Sequence, residues 1–149
     1  MENKLVKKIL DHIKEYEGYS NVLYKCTSNK WTIGYGRNLQ DVGISKDEAE
    51  YMLNNDVDIA IQELEDNFDL WNLPEAAQIV LVDMCYNLGL TKLLEFKLML
   101  KAIQDDDWQE AAHQLMSSKY ASQVKRRARF NAALLLSCEQ DDSDHGCFL

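Results

Sequence analysis

The chain has 149 residues, 46% of them apolar and 28% charged, with a single proline and six glycines. That suits one domain, or one domain of two lobes, able to bury its own core without a disulfide or metal staple; disordered and collagen-like chains are excluded. Sixteen basic against twenty-five acidic side chains leave a net charge of −9, which argues against general nucleic-acid binding and against a stable hold on an anionic membrane surface.

Met1-Glu2-Asn3-Lys4-Leu5-Val6-Lys7-Lys8 carries no signal-peptide core, so synthesis in a cytoplasm is expected, with any action outside it needing a separate export route. Leu5, Ile9 and Ile13 recur every four residues, with Val6 and Leu10 beside them, which predicts a helix from about Asn3 to Tyr16 that Gly18 stops. Val22-Leu23-Tyr24 and Trp31-Thr32-Ile33, separated by the polar run Thr27-Ser28-Asn29-Lys30, predict a β-hairpin. Ser45-Lys46-Asp47-Glu48 is a capping box opening a long helix, whose apolar positions Ala49, Leu53, Val57, Ile61, Leu64 and Phe68 step by three or four. At more than twenty residues it is long enough to bridge two lobes.

Pro74 suits a first helical residue, and the helix it opens, Glu75 to Leu88, is apolar on nearly every face and stopped by Gly89. Further helices are expected near 93–103, 106–117 and 124–136, and then a solvated acidic tail over 138–149. The longest apolar runs, Ile79-Val80-Leu81-Val82 and Ala132-Ala133-Leu134-Leu135-Leu136, are far shorter than a membrane span. Cys26, Cys85, Cys138 and Cys147 show no zinc-like spacing, and His12, His113 and His145 none that suits a metal. For the last three cysteines a free thiol is the plain reading.

The chemistry lies in the first forty residues. Glu17-Gly18, Tyr24-Lys25-Cys26 and Trp31-Thr32-Ile33-Gly34-Tyr35-Gly36-Arg37 resemble the phage lysozyme family, glycoside hydrolase family 24. Its members carry a glutamate, eight residues, an aspartate or cysteine, five residues, then a threonine, a spacing met here by Glu17, Cys26 and Thr32. The likeness continues through Ile44–Glu50, Asn55–Asp58, Asp83–Gly89, Trp108–Ala112 and Ser118–Tyr120, nearly the whole chain to about Leu136. The segment between Leu39 and Ile44 is shorter than the T-even branch of the family has, so one small helix should be missing.

The resemblance implies a mostly helical α+β, lysozyme-like fold of two lobes: an N-terminal helix and β-hairpin lobe over 1–44, an interlobe helix over about 45–68 and a helical lobe over 69–137. It implies a monomeric endolysin that cleaves the β-1,4 bond between N-acetylmuramic acid and N-acetylglucosamine in peptidoglycan glycan strands, reaching the wall from the host cytoplasm through a holin. No cofactor or metal is implied. A lytic transglycosylase on a related fold is the alternative enzyme. A non-catalytic peptidoglycan- or nucleic-acid-binding protein using Lys125-Arg126-Arg127 is the alternative of another class.

Glu17 falls where a helix ends, and the negative end of a helix disfavours a second negative charge, which suits a proton donor. Thr32 is expected on a strand, with the resemblance adding a role in orienting water. Cys26 is open between a water-positioning thiol, a covalent nucleophile and a small buried filler, because a free thiol is only ~3% ionised near neutral pH. The resemblance also places Arg127 beside the catalytic glutamate, and Asn38, Tyr86, Met99 and Gln114 at sugar contacts. Lys119, Lys125, Arg126, Arg127 and Arg129 form an acid-free stretch expected to face the cleft or the wall polymer.

Overall fold

The computed structural model describes residues 3–144 and is 67% helical, with eight α-helices and one small antiparallel sheet among the described residues. By contacts the chain divides into two compact units, Met1–Met52 and Leu53–Leu149, each taken by itself below.

In the first unit, α1 (Lys4–Glu17) starts at Asn3, whose side-chain oxygen accepts the Leu5 N–H at 3.0 Å. It stops at Gly18, where φ is +69° and the N–H returns to the Lys14 carbonyl. The expected hairpin is present as β1 (Ser20–Lys25) and β2 (Trp31–Gly34), with Tyr24 opposite Thr32 and Lys25 opposite Trp31. A third strand, β3 (Arg37–Asn38), pairs with β2 through Ile33 and Arg37; two residues are too few to carry a legible alternation. Turns at 39–42 lead from β3 towards α2 (Lys46–Glu65) with no helix between them.

The capping box forms only in half. The Ser45 hydroxyl accepts the Glu48 N–H at 3.1 Å, whereas the Glu48 carboxylate is taken by Arg37 at 3.0 Å rather than by the cap backbone. The helix ends three residues short of Phe68, and a short 3-10 turn follows at Leu70–Asn72.

In the second unit, α3 runs Glu75–Leu88 between Pro74 and Gly89, as its flanking residues predict. The helix expected over 93–103 is instead two, α4 (Leu90–Leu93) and α5 (Lys97–Gln104), because the chain leaves helical geometry at Phe96, whose ψ is +54°. Then come α6 (Trp108–Met116), α7 (Lys119–Val124) and α8 (Arg126–Asp144). Lys125, at φ +24°, separates the last two.

The apolar core is built from α2, α3, α5, α6 and α8: Leu64, Leu81, Met84, Met99, Trp108, Leu115 and Leu135 are fully enclosed. Each such side chain stabilises the fold by about 1.5–3 kcal/mol relative to exposure. Among the described residues every buried apolar residue lies at or beyond Ala60, and the first unit's buried side chain is Thr32. The expected tail from 138 is corrected in part. Cys138 is fully buried one turn after Leu135, and α8 continues to Asp144, since a core-facing residue holds the last turns in register; residues 145–149 lie outside the described ones. Cys85 is a buried free thiol and Cys26 a half-buried one, Cys138 is buried, and Cys147 lies outside the described residues. No described helix is long and apolar enough to cross a membrane.

Candidate active site

Glu17, Cys26 and Thr32 all belong to the first unit. Glu17 is the last residue of α1, exposed, where the helix must stop because Gly18 turns the chain to φ +69°. Its carboxylate lies over Gly36, in the turn between β2 and β3. Cys26 directly follows β1: its N–H donates to the Lys30 carbonyl at 3.1 Å, and its carbonyl accepts the Asn29 N–H at 2.8 Å. This tight loop, helped by Asn29 at φ +59°, brings the Cys26 sulfur back towards the start of β2.

Thr32 is 2% exposed, and its hydroxyl donates to the Lys30 carbonyl at 2.9 Å. The backbone of Lys30, then the Thr32 hydroxyl, stabilise the thiolate and pull the Cys26 thiol below its ordinary value against a smaller opposing effect of burial. Cys26 is therefore better ionised than an isolated thiol. One hydroxyl proton serves two acceptors: it can satisfy the Lys30 carbonyl, or turn to the sulfur when the sulfur is charged.

In the second unit, Arg127 grips Asp83 of α3 through Nε at 3.0 Å and Nη2 at 2.6 Å, and Asn131, itself 2% exposed, donates to the same carboxylate at 2.8 Å. Partial burial pushes Asp83 up, but these donors and the guanidinium charge outweigh it and hold the carboxyl below its usual range. The same carboxylate raises Arg127 further. Neither Asp83 nor Asn131 stood out in the sequence, because forty-four positions separate Asp83 from Arg127.

The four expected sugar contacts fare differently. A cavity of about 380 Å³ between α5 and the α6–α7 segment is lined by Phe96, Gln114, Ser118, Lys119 and Tyr120, with Met99 beneath. Gln114 is half-buried there, its amide donating to Glu110 at 2.6 Å. Met99 is fully enclosed, so it shapes the floor and presents no surface to a sugar. Tyr86 is 45% exposed near the end of α3 and borders an apolar groove with Val57, Ile79 and Val82. Asn38, on β3, has both amide atoms engaged by Asp41, at 3.0 and 3.1 Å, closing the turn towards α2. Tyr120, unremarked as a positioned group in the sequence, donates its hydroxyl to Asn87 at 2.9 Å and stands edge-on to Phe96 at 6.0 Å. Of the basic stretch, Arg126, Arg127 and Arg129 line one cavity with Phe130 and Ile79.

Cys85 differs from Cys26. Its sulfur lies 3.9 Å from the Ala60 carbonyl and 3.7 Å from the Glu63 carboxylate. Burial, then the Glu63 charge, push it up to about 11.

Glycoside hydrolases ordinarily use two carboxyls, one to donate a proton and one to activate or act as the nucleophile; the candidates here are one exposed carboxyl at a helix end and a hydroxyl–thiol pair on the adjoining sheet. The phage lysozyme family model matches residues 14–129. The chain is 27% identical to "Probable T4-type lysozyme 1" of Dictyostelium discoideum, over 83% of this chain and 91% of the relative. It is 29% identical to an "Endolysin" of Acyrthosiphon pisum secondary endosymbiont phage 1, over 70% of this chain and 72% of the relative. The chain belongs to the phage lysozyme family. It is a lysozyme-type glycoside hydrolase, a muramidase whose substrate class is peptidoglycan.

Proposed function

We propose that this protein is a bacteriolytic endolysin that hydrolyses the β-1,4 bond between N-acetylmuramic acid and N-acetylglucosamine. Glu17 donates its proton to the leaving glycosidic oxygen, and Cys26 with Thr32 holds the attacking water on the opposite face of the sugar. The observation that carries the reading is the Cys26–Thr32 pair. A hydroxyl and a thiol sharing the Lys30 backbone form a fixed polar corner on the same small unit as Glu17. Direct attack by water at a β-linkage inverts the anomeric centre. The protein acts as a monomer, and after synthesis in the host cytoplasm it reaches the wall through a holin and lyses the cell.

Clearing of outer-membrane-stripped cells tests the activity. Glu17→Gln keeps the size and polarity of the side chain but has no acid proton to give, so nearly all clearing should be lost while the fold survives. Retained clearing within a few-fold of the unaltered protein removes Glu17 from the mechanism. NMR of fresh product decides the role of Cys26: an α-anomer supports water attack, a β-anomer makes Cys26 or a substrate group the attacking atom, and a 1,6-anhydro sugar makes the enzyme a transglycosylase.

A further inference from the structure

We infer that Gly36 is a positioning residue for Glu17: the missing side chain at 36 is the space in which the catalytic carboxylate rests. An ideal Cβ built on Gly36 would meet the Glu17 carboxylate oxygen Oε2 first, then its Cδ at 2.9 Å and its Cγ at 3.5 Å, and no other residue comes as near. Gly18, Gly34, Gly43 and Gly89 share the positive φ of Gly36, yet a Cβ at any of them meets nothing within 4 Å. Backbone conformation therefore accounts for glycine at those four positions. At 36 a second demand is present, and it comes from one side chain.

Which partner yields decides the consequence. The turn cannot easily retreat, because Ile33 pairs with Arg37 across β2 and β3, and the Arg37 guanidinium is fastened to the Gly43 carbonyl at 3.1 Å and to Glu48 at 3.0 Å. Glu17 is the far end of a flexible, exposed side chain, so it is the group that moves. A methyl at 36 would thus push the carboxylate aside while the sheet stays in place. Ordinary contact asks for a displacement of about 1 Å, and an error of that size in a reacting group costs on the order of 10²-fold in rate. The inference rests on the reading of Glu17 as the proton donor, and its consequence is a loss in turnover rather than in folding or substrate affinity.

The experiment pairs Gly36→Ala with Gly34→Ala. Both place an L-residue at positive φ, +77° and +67°, and so carry similar backbone strain, but only the first meets the carboxylate. With soluble uncrosslinked peptidoglycan fragments, kcat of Gly36→Ala should fall about 10²-fold below that of Gly34→Ala, with KM alike. If Gly36→Ala fails to fold, Gly36→Asn serves in its place, since asparagine tolerates positive φ and still carries a Cβ. Equal kcat in the 34 and 36 variants overturns the inference. A crystal structure supplies an arm that needs no activity: in Gly36→Ala the Glu17 carboxylate should be displaced by about 1 Å while β2 and β3 keep their register, and a carboxylate left in place overturns the contact. A wild type that releases no fragments, or a fully active Glu17→Gln, would sink the functional reading instead, and the structure of Gly36→Ala distinguishes that outcome from failure of the contact.

Discussion

Arg127 does not stand as an open cation; it closes on Asp83 with a two-point grip, Nε at 3.0 Å and Nη2 at 2.6 Å. Its guanidinium plane is thereby fixed across α3 and α8, and Asn131 completes the set of donors. Removing either partner leaves the other half-buried and short of hydrogen bonds. Arg127→Ala and Asp83→Ala should each cost about 1–3 kcal/mol in urea unfolding. A change below the measurement error would mean that water replaces the pair at no cost.

The same pair sets a pH dependence with a definite sign. Asp83 is held below its ordinary value in the folded protein, so it contributes stability above the unfolded aspartate range, about pH 4, and loses that contribution as pH falls through the lower folded value. Asp83→Asn should flatten this part of the acid-stability curve. An unaltered slope in unfolding below pH ~4 would show that other carboxylates carry it.

The thiols should separate by reactivity. Cys26 is half-buried with a lowered thiol, whereas Cys85 is 3% exposed and raised to about 11, and Cys138 is fully buried. Brief iodoacetamide treatment of the folded protein near pH 7 should label Cys26 well before the other two, because the thiolate is the reacting form. Peptide mapping reads the order, and labelling of Cys85 first would contradict it.

Thr32 couples the strand to the sulfur. Thr32→Val deletes the hydroxyl at constant shape, leaves the Lys30 carbonyl with the Cys26 N–H as its remaining donor, and should cost about 1 kcal/mol. It should also raise the Cys26 thiol towards its ordinary value, moving the alkylation-versus-pH curve to higher pH, while Thr32→Ser restores both. A curve that does not move in Thr32→Val would break the link between them.

Met99 and Gln114 share a cavity but not a role. Met99→Ala should lower stability by about 2–5 kcal/mol, as a buried truncation does. Gln114→Ala should leave melting nearly unchanged and raise KM for wall fragments; an unchanged KM would take the cavity out of substrate binding.

Local punctuation made much of this fold readable. Asn3 and Gly18 bracket α1, Pro74 and Gly89 bracket α3, and Ser45 opens α2. What escaped has no local sign. Leu93-Leu94-Glu95-Phe96 contains no breaker, so the division into α4 and α5 is a tertiary effect. Lys125 at φ +24° gives no hint that two helices part there. The site divides the same way: the spacing of Glu17, Cys26 and Thr32 is visible along the chain. The Asp83 grip on Arg127 and the Gly36 floor under Glu17 arise from approach in space.

Among the described residues the apolar core lies at or beyond Ala60, while Glu17 ends α1 and Cys26 and Thr32 sit beside and on a three-stranded sheet whose buried side chain is one threonine. The part of the molecule that carries the proposed triplet is thus thinly insulated. Backbone amides of β1 to β3 have little enclosed apolar mass to protect them and belong to the fast end of hydrogen exchange, and those of α3 and α6 to the slow end. On warming, local opening should disturb the proposed triplet while circular dichroism still records an intact helical scaffold. The proposed activity should then fade at a temperature set by the sheet rather than by the global melting point.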